Sequence, residues 1–299
     1  MTGPPRPAFV NAHSHTFQRA LRSEGGDFWE WRDSMLELAA RQTPVTVRAD
    51  YAATYREMVA AGWVAVGEFH YLGLPLARAA VLAARETGIE IVILLAAYAR
   101  GGLNFMRQTS VDEYFGQVET LRAEGVPVGV APHSVRACPR DWLEAIGRYA
   151  SEHELVLHVH AGEQPREIEE CLSEHGVRPI ELLDETGCLG PRTTVIHATH
   201  ASEAELDLLA KSGSRVCVCP TTEADLGDGF FPTPELLERG IPLCIGSDAN
   251  VNLDPALELR ELEWVARRQL LRRGVLSSSA LERIGSAEGA ASLGLPLAG

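Results

Sequence analysis

The feature that most constrains this chain is an alternation of short apolar strands with helices, repeated eight times between residues 8 and 246. Strand-like runs, rich in β-branched residues, fall at 8–15, 63–69, 89–95, 126–131, from 155, and at 193–197, 215–219 and 241–246. Helical spacing is read at 50–61, where Asp50 offers a cap, and at 76–86, 111–123, 141–151, 203–210 and 234–238. Shorter helical pieces fall at 168–174 and 179–184, and helices at 255–272 and 278–291 finish the chain. The stretch 16–48 is the least regular, with Gly25 and Gly26 followed by aromatic residues at 28–31. About eight strands, each followed by a helix, predict an α/β fold of the (β/α)8 barrel type. A doubly wound open sheet usually stops near about six strands and carries a glycine-rich phosphate turn after the first. No such turn is present. At 299 residues the expectation is one barrel domain over 1–299, since such barrels take about 250 residues.

In a barrel, the C-terminal strand ends converge on one mouth. Those ends carry His13, His15, Glu68, His70, His133, His160, Glu163, His197, Thr221 and Asp248. Six of the ten histidines are among them, which a random scatter would not produce. Side-chain direction repeats every second residue of a strand, so His13 and His15 face the same side. Two imidazoles from the first strand, a third from the fifth (His160) and a carboxylate from the eighth (Asp248) can enclose one divalent metal. They leave a position open for water, as a catalytic site requires. Taken alone, the stretch 155–163 serves packing as well as chemistry; the other strand ends tip it toward chemistry. His158 is expected to pack behind His160, His153 and His175 to be solvated, and His200 to have no role.

The formal net charge of −14 argues against nucleic acid and anionic membranes as partners, but leaves room for a small anionic substrate. The six cysteines lack finger or ribbon spacing, and Cys217 and Cys219 read as reduced core residues. No apolar run at the N-terminus has signal-peptide length, so a cytoplasmic location is expected. The sequence leaves a homodimer open.

In combination and in barrel order, these residues resemble the amidohydrolase superfamily, in its mononuclear deaminase branch. Within it the chain is similar to the N-formimino-L-glutamate (formimidoylglutamate) deiminase family of histidine degradation. The stretches that carry the likeness are NAHSHTFQRA at 11–20, FWEWR at 28–32, EFHY at 68–71 and HSVRA at 133–137. IHATH at 196–200, CPTTEADLGDGFFP at 219–232 and GSD at 246–248 complete it. The resemblance implies His13, His15, His160 and Asp248 as ligands of one divalent ion, Zn2+ or Fe2+. The fourth strand ends in His133 with no lysine to bridge a second ion. Glu163 would be the proton shuttle, and Asp248 ligand and base. His197 would polarise the leaving group or hold the attacking water. Gln18, Arg32, Tyr71, His133 and Arg136 would contact substrate.

The residues agree for a physical reason. A dicarboxylate in an acidic protein needs local cations, and arginine can fork onto a carboxylate. Seen singly, Arg32 and Arg136 also read as surface ion pairs. The chain departs from the family at Asp225, where Asn is expected, in a short segment between Tyr71 and Ile89, and in the expected absence of the flanking β-rich domain. A purine-type or adenosine-type aminohydrolase is the alternative enzyme, since HAGE at 160–163 is also its motif. A metal-binding barrel without catalysis is the alternative outside enzymes; it would have no need of Glu163 and His197.

Overall fold

A computed structural model describes residues 8–22 and 26–296. The leader reading at 1–7 and Gly25 lie outside those residues. Eight parallel strands run in sequence order around one sheet. They are β1 (Phe9–Ser14), β2 (Trp63–His70), β3 (Glu90–Ala97), β4 (Val128–Pro132), β5 (Leu157–Ala161), β6 (Thr193–His197), β7 (Arg215–Val218) and β8 (Leu243–Ile245). A parallel bridge between Ser14 and Asp248 joins the last strand to the first, making the (β/α)8 barrel that the alternation predicts. Apart from Val64 in β2 and the first residues of β1, β3, β4 and β7, the strands are buried, because helices cover the outside and side chains fill the inside.

The seam is tight. His15 N donates to the Asp248 carbonyl at 2.8 Å and Asp248 N to the His13 carbonyl at 3.0 Å. A Cβ at Gly246 would stand 2.6 Å from the His13 carbonyl oxygen. Gly246→Val is therefore expected to cost about 1–3 kcal/mol or more through overpacking. A thermal melt checks this, and an unchanged midpoint would show that β1 and β8 can separate freely.

The sequence reading has no counterpart of the helix Pro220–Leu226, and three further elements differ from it. Within 16–48 the described residues form a 3-10 turn (Thr16–Leu21) and a helix (Phe28–Ala40). Asp27 and Glu30 form a capping box, with Asp27 accepting from the backbone of Trp29 and Glu30 and Glu30 accepting from Asp27 N. The next helix begins at Pro44, not Asp50, because Thr43 caps it and proline suits the first turn. The helix expected over 278–291 breaks at Ser286 into Ser278–Gly285 and Ala287–Ser292. The break brings Gly285 against Phe9 and Gly289 against Val10, so both pieces close the barrel's N-terminal end.

His158 packs as expected, but toward that closed end: its Nε2 donates to the Ser292 carbonyl at 2.8 Å. His175 is not solvated; its side chain is 11% exposed, beside Glu174. All six cysteines are free and buried, and Cys217, Cys219 and Cys244 cluster with Ala12 and Ile196 inside the barrel. Among the described residues no helix is long and apolar enough to cross a membrane.

Candidate active site

The period of two along β1 aims His13 and His15 into the barrel mouth, where β5 and the β8 end supply His160 and Asp248. Ligand atoms of all four lie within 4.8 Å of one another, and all four residues are buried. His160 Nε2 stands 3.1 Å from His13 Nε2 and 3.4 Å from His15 Nε2. Asp248 Oδ1 is 3.2 Å from His13 Nε2 and 3.5 Å from His15 Nε2.

The outer nitrogens explain this crowding. His15 Nδ1 is 3.0 Å from the Phe69 carbonyl and His160 Nδ1 is 2.9 Å from the His133 carbonyl. A carbonyl only accepts, so each Nδ1 carries its proton and each neutral ring turns a lone pair inward at Nε2. Burial first, then the neighbouring imidazoles, keeps the rings neutral; His15 is pushed down to about 3 and His160 well below its usual value. Asp248 is pushed up by burial, but His13, His197 and His15 outweigh that and hold it well below the usual carboxylate range. Three imidazoles that burial keeps neutral, two of them with a lone pair fixed inward, and one carboxylate fit a zinc-type divalent ion.

Beside this group lies a proton-handling set. Glu163 Oε1 is 3.5 Å from His197 Nε2, and Asp248 Oδ2 is 3.8 Å from the same nitrogen. On the other side, His197 Nδ1 pairs with Glu223 Oε1 at 3.1 Å. Burial would strip the His197 proton, but Glu163, Glu223 and Asp248 together raise its pKa well above the ordinary value. Burial also raises Glu163, although His197 and Arg136 pull it back. The two are linked: a carboxylate at Glu163 favours the proton on His197, and a charged His197 favours the carboxylate at Glu163. His197, Ala198 and Asp248 all sit at positive φ (72°, 52° and 42°), a strained conformation that concentrates where side chains must be aimed.

A cavity opens from these groups to the surface. Gln18, Arg32, Tyr71, His133 and Arg136 all line it, together with His15, His160, Glu163 and Asp248. Gln18 Nε2 donates to the Tyr71 hydroxyl at 2.9 Å. Arg136 Nη2 lies 3.8 Å from Glu163 Oε2, and its buried Nε has no partner. Arg32 comes from the helix Phe28–Ala40, which also supplies Phe28, Trp31 and Met35 to the wall.

Other strand-end residues turn elsewhere. Glu68 accepts from Thr16 and Tyr55, His70 Nε2 donates to the Gly73 carbonyl, and Thr221 donates to Glu258. His200 Nε2 donates to the Asp228 carbonyl, a loop contact away from the metal group. Glu223 has no role in the sequence reading, although a carboxylate so soon after β7 was a usable signal. Arg100, whose guanidinium donates to the Arg136 and Val135 carbonyls and grips Glu174, left no signal at all.

Relatives fit this geometry. A model described as "Amidohydrolase family" matches residues 6–299. The chain belongs to the amidohydrolase family. This amidohydrolase is 33% identical to the formimidoylglutamate deiminase of Pseudomonas aeruginosa, over 97% of this chain and 72% of that protein. It is 28% identical to the 5-methylthioadenosine/S-adenosylhomocysteine deaminase of Haloarcula marismortui, over 96% and 68% of the respective chains. The crystal structure of an amidohydrolase from Brucella melitensis is 31% identical, with a TM-score of 0.88 over 99% of this chain and 75% of that one. An adenosine deaminase from Xanthomonas campestris with bound zinc has a TM-score of 0.87 at 24% identity, over 96% and 67% of the chains, a likeness of fold. As an amidohydrolase with deaminase relatives, the chain is a metal-dependent C–N hydrolase.

Proposed function

We propose that this amidohydrolase hydrolyses N-formimino-L-glutamate to N-formyl-L-glutamate and ammonia. The observation that carries the reading is the placement of Arg32 and Arg136 in the wall of the cavity that opens on the metal group. Arg100 lines the same cavity but is paired with Glu174, which leaves Arg32 and Arg136, in a chain of net charge −14, to suit a small dicarboxylate. The identity to the Pseudomonas aeruginosa protein points the same way.

His13, His15, His160 and Asp248 would hold one divalent ion, with zinc the first candidate from the donor set. When bound, that ion supplies Lewis-acid activation of a water molecule. Asp248 takes a proton from the attacking water as its oxygen bonds to the formimino carbon. Glu163 delivers a proton to the terminal nitrogen. His197, kept protonated by its carboxylate neighbours, holds the water oxygen as charge develops on it. The remaining proton of the water returns to Glu163 as the C=O bond forms, the proton held by Asp248 passes to the same nitrogen, and the C–N bond breaks to release ammonia. Arg136 and Arg32 grip the substrate carboxylates, while Gln18, Tyr71 and His133 orient the amidine. All of these residues belong to one barrel.

A purine-type substrate is the second reading, favoured by the aromatic wall of Phe28, Trp31, Tyr71 and Tyr98. Ammonia release from formiminoglutamate, adenosine and guanine, measured side by side on the zinc-loaded enzyme, separates the two. Turnover of formiminoglutamate alone is the expected result. Turnover of a purine without formiminoglutamate would overturn the proposal.

A further inference from the structure

We infer that Glu163, His197 and Asp228 form a second, weaker divalent-cation site, and that filling it switches the enzyme off. The consequence for activity rests on the reading above, in which Glu163 and His197 handle the protons of the reaction. The site itself rests on geometry alone.

Ligand atoms of the three residues lie within 4.8 Å of one another, and all three are buried. Around a small divalent ion with bonds of about 2.0–2.2 Å, tetrahedral ligand atoms stand roughly 3.3–3.6 Å apart. The His197 Nε2 to Glu163 Oε1 distance of 3.5 Å already matches.

Two orphaned atoms point to a missing occupant. Among the described residues, His197 Nε2 and Asp228 Oδ2 are buried without any hydrogen-bond partner. Asp228 is only 3% exposed. Each is held from behind, leaving the inner atom free. His197 is held by Glu223 at Nδ1, and Asp228 by Gln164 at Oδ1 and by its own N–H to the Glu223 carbonyl at 3.0 Å.

The charge balance agrees. Glu163, Asp228, Glu223 and Asp248 are acidic, and Arg136 approaches only Glu163 Oε2, the oxygen turned away from His197. Asp248 faces both groups, with Oδ1 toward His13 and His15 and Oδ2 toward His197. A bridging carboxylate of that kind is how two divalent ions are commonly held near each other. The alternative trio of His197, Cys219 and Glu223 is a poor rival. Burial pushes the Cys219 thiol up to about 12, and the His197 nitrogen on that side is committed to Glu223.

An ion at Glu163, His197 and Asp228 displaces the proton of His197 Nε2 to solvent and occupies the Glu163 oxygen and the His197 nitrogen through which protons must pass. Catalysis then stops although the first ion and the substrate wall are intact. Excess metal thereby becomes an inhibitor.

The test is an equilibrium dialysis of zinc-loaded enzyme against rising free Zn2+, with bound metal per chain counted by mass spectrometry and ammonia release measured on the same samples. The expected result is a second bound equivalent whose uptake parallels the loss of turnover. Asp228→Asn, which keeps the shape and removes the charge, should weaken that second equivalent by at least about 10-fold and leave the first unchanged. Cys219→Ser should leave both unchanged. No second equivalent at millimolar free Zn2+ overturns the inference, and so does one that survives Asp228→Asn. A second equivalent that leaves turnover intact overturns the inhibitory role. Metal counting needs no substrate, so it stands or falls apart from the identity of the substrate. The wild-type titration decides by itself if Asp228→Asn does not fold.

Discussion

Replacing Glu163 by glutamine is expected to lower turnover by about 10²- to 10⁴-fold while the tightly bound metal count stays that of the wild type. Glutamine keeps the length of the side chain and one accepting oxygen but cannot carry a proton. Glu163 lies outside the group of His13, His15, His160 and Asp248, so its charge is not needed to hold the first ion. Its position is that of a proton carrier: 7% exposed, 3.5 Å from His197, at the floor of the cavity, with its pKa raised by burial. Steady-state ammonia release with metal analysis of the same preparation checks both halves. Near-normal turnover would remove Glu163 from the mechanism. Loss of the metal would make it a ligand.

Arg136→Ala is expected to raise KM for formiminoglutamate by about 10- to 100-fold, the worth of roughly 1.5–3 kcal/mol in charge-assisted hydrogen bonds to one carboxylate. The metal count should not change, since no metal-group atom contacts Arg136. The side chain is poised for an anion: its Nε is buried without a partner, and its single acidic contact, at 3.8 Å, is too long for a good hydrogen bond. A substrate carboxylate can therefore displace Glu163 from the guanidinium at little cost. A KM for formiminoglutamate equal to the wild type's would refute the clamp. A shift confined to kcat would make Arg136 a partner of Glu163 instead.

The metal group was legible in the sequence because strand geometry is short-range and periodic. His13 and His15 are two residues apart on one strand, so their common direction follows from the chain itself. His160 and Asp248 followed from barrel convergence, which needs only the order of the strands. What stayed hidden depends on partners distant in sequence. Glu223 touches His197 across 26 residues, and Arg100 reaches Arg136 across 36. Neither pairing has a periodic trace. The helix Phe28–Ala40 was missed for another reason: its start is written in a capping box, Asp27 to Glu30, while its aromatic residues face the cavity and blur the helical pattern. Gly285 and the Ser286 hydroxyl, which donates to the Glu282 carbonyl, mark the break at Ser286 locally, and it brings two glycines close to β1.

The bridge between Ser14 and Asp248 has a consequence for how the molecule is made. His13 and His15 precede Asp248, their partner across the seam, by more than 200 residues. During synthesis the histidines therefore emerge well before the carboxylate. The carboxylate arrives with the strand that completes the ring, so an ion held by these four residues would be captured as the ring closes. It would work as a clasp between the two ends of the sheet. Without an ion the seam would rest on its backbone hydrogen bonds and on the buried pairs of Asn11 with Ser247 and Ser14 with Asn250, a smaller barrier to the two strand edges parting and pairing with other chains.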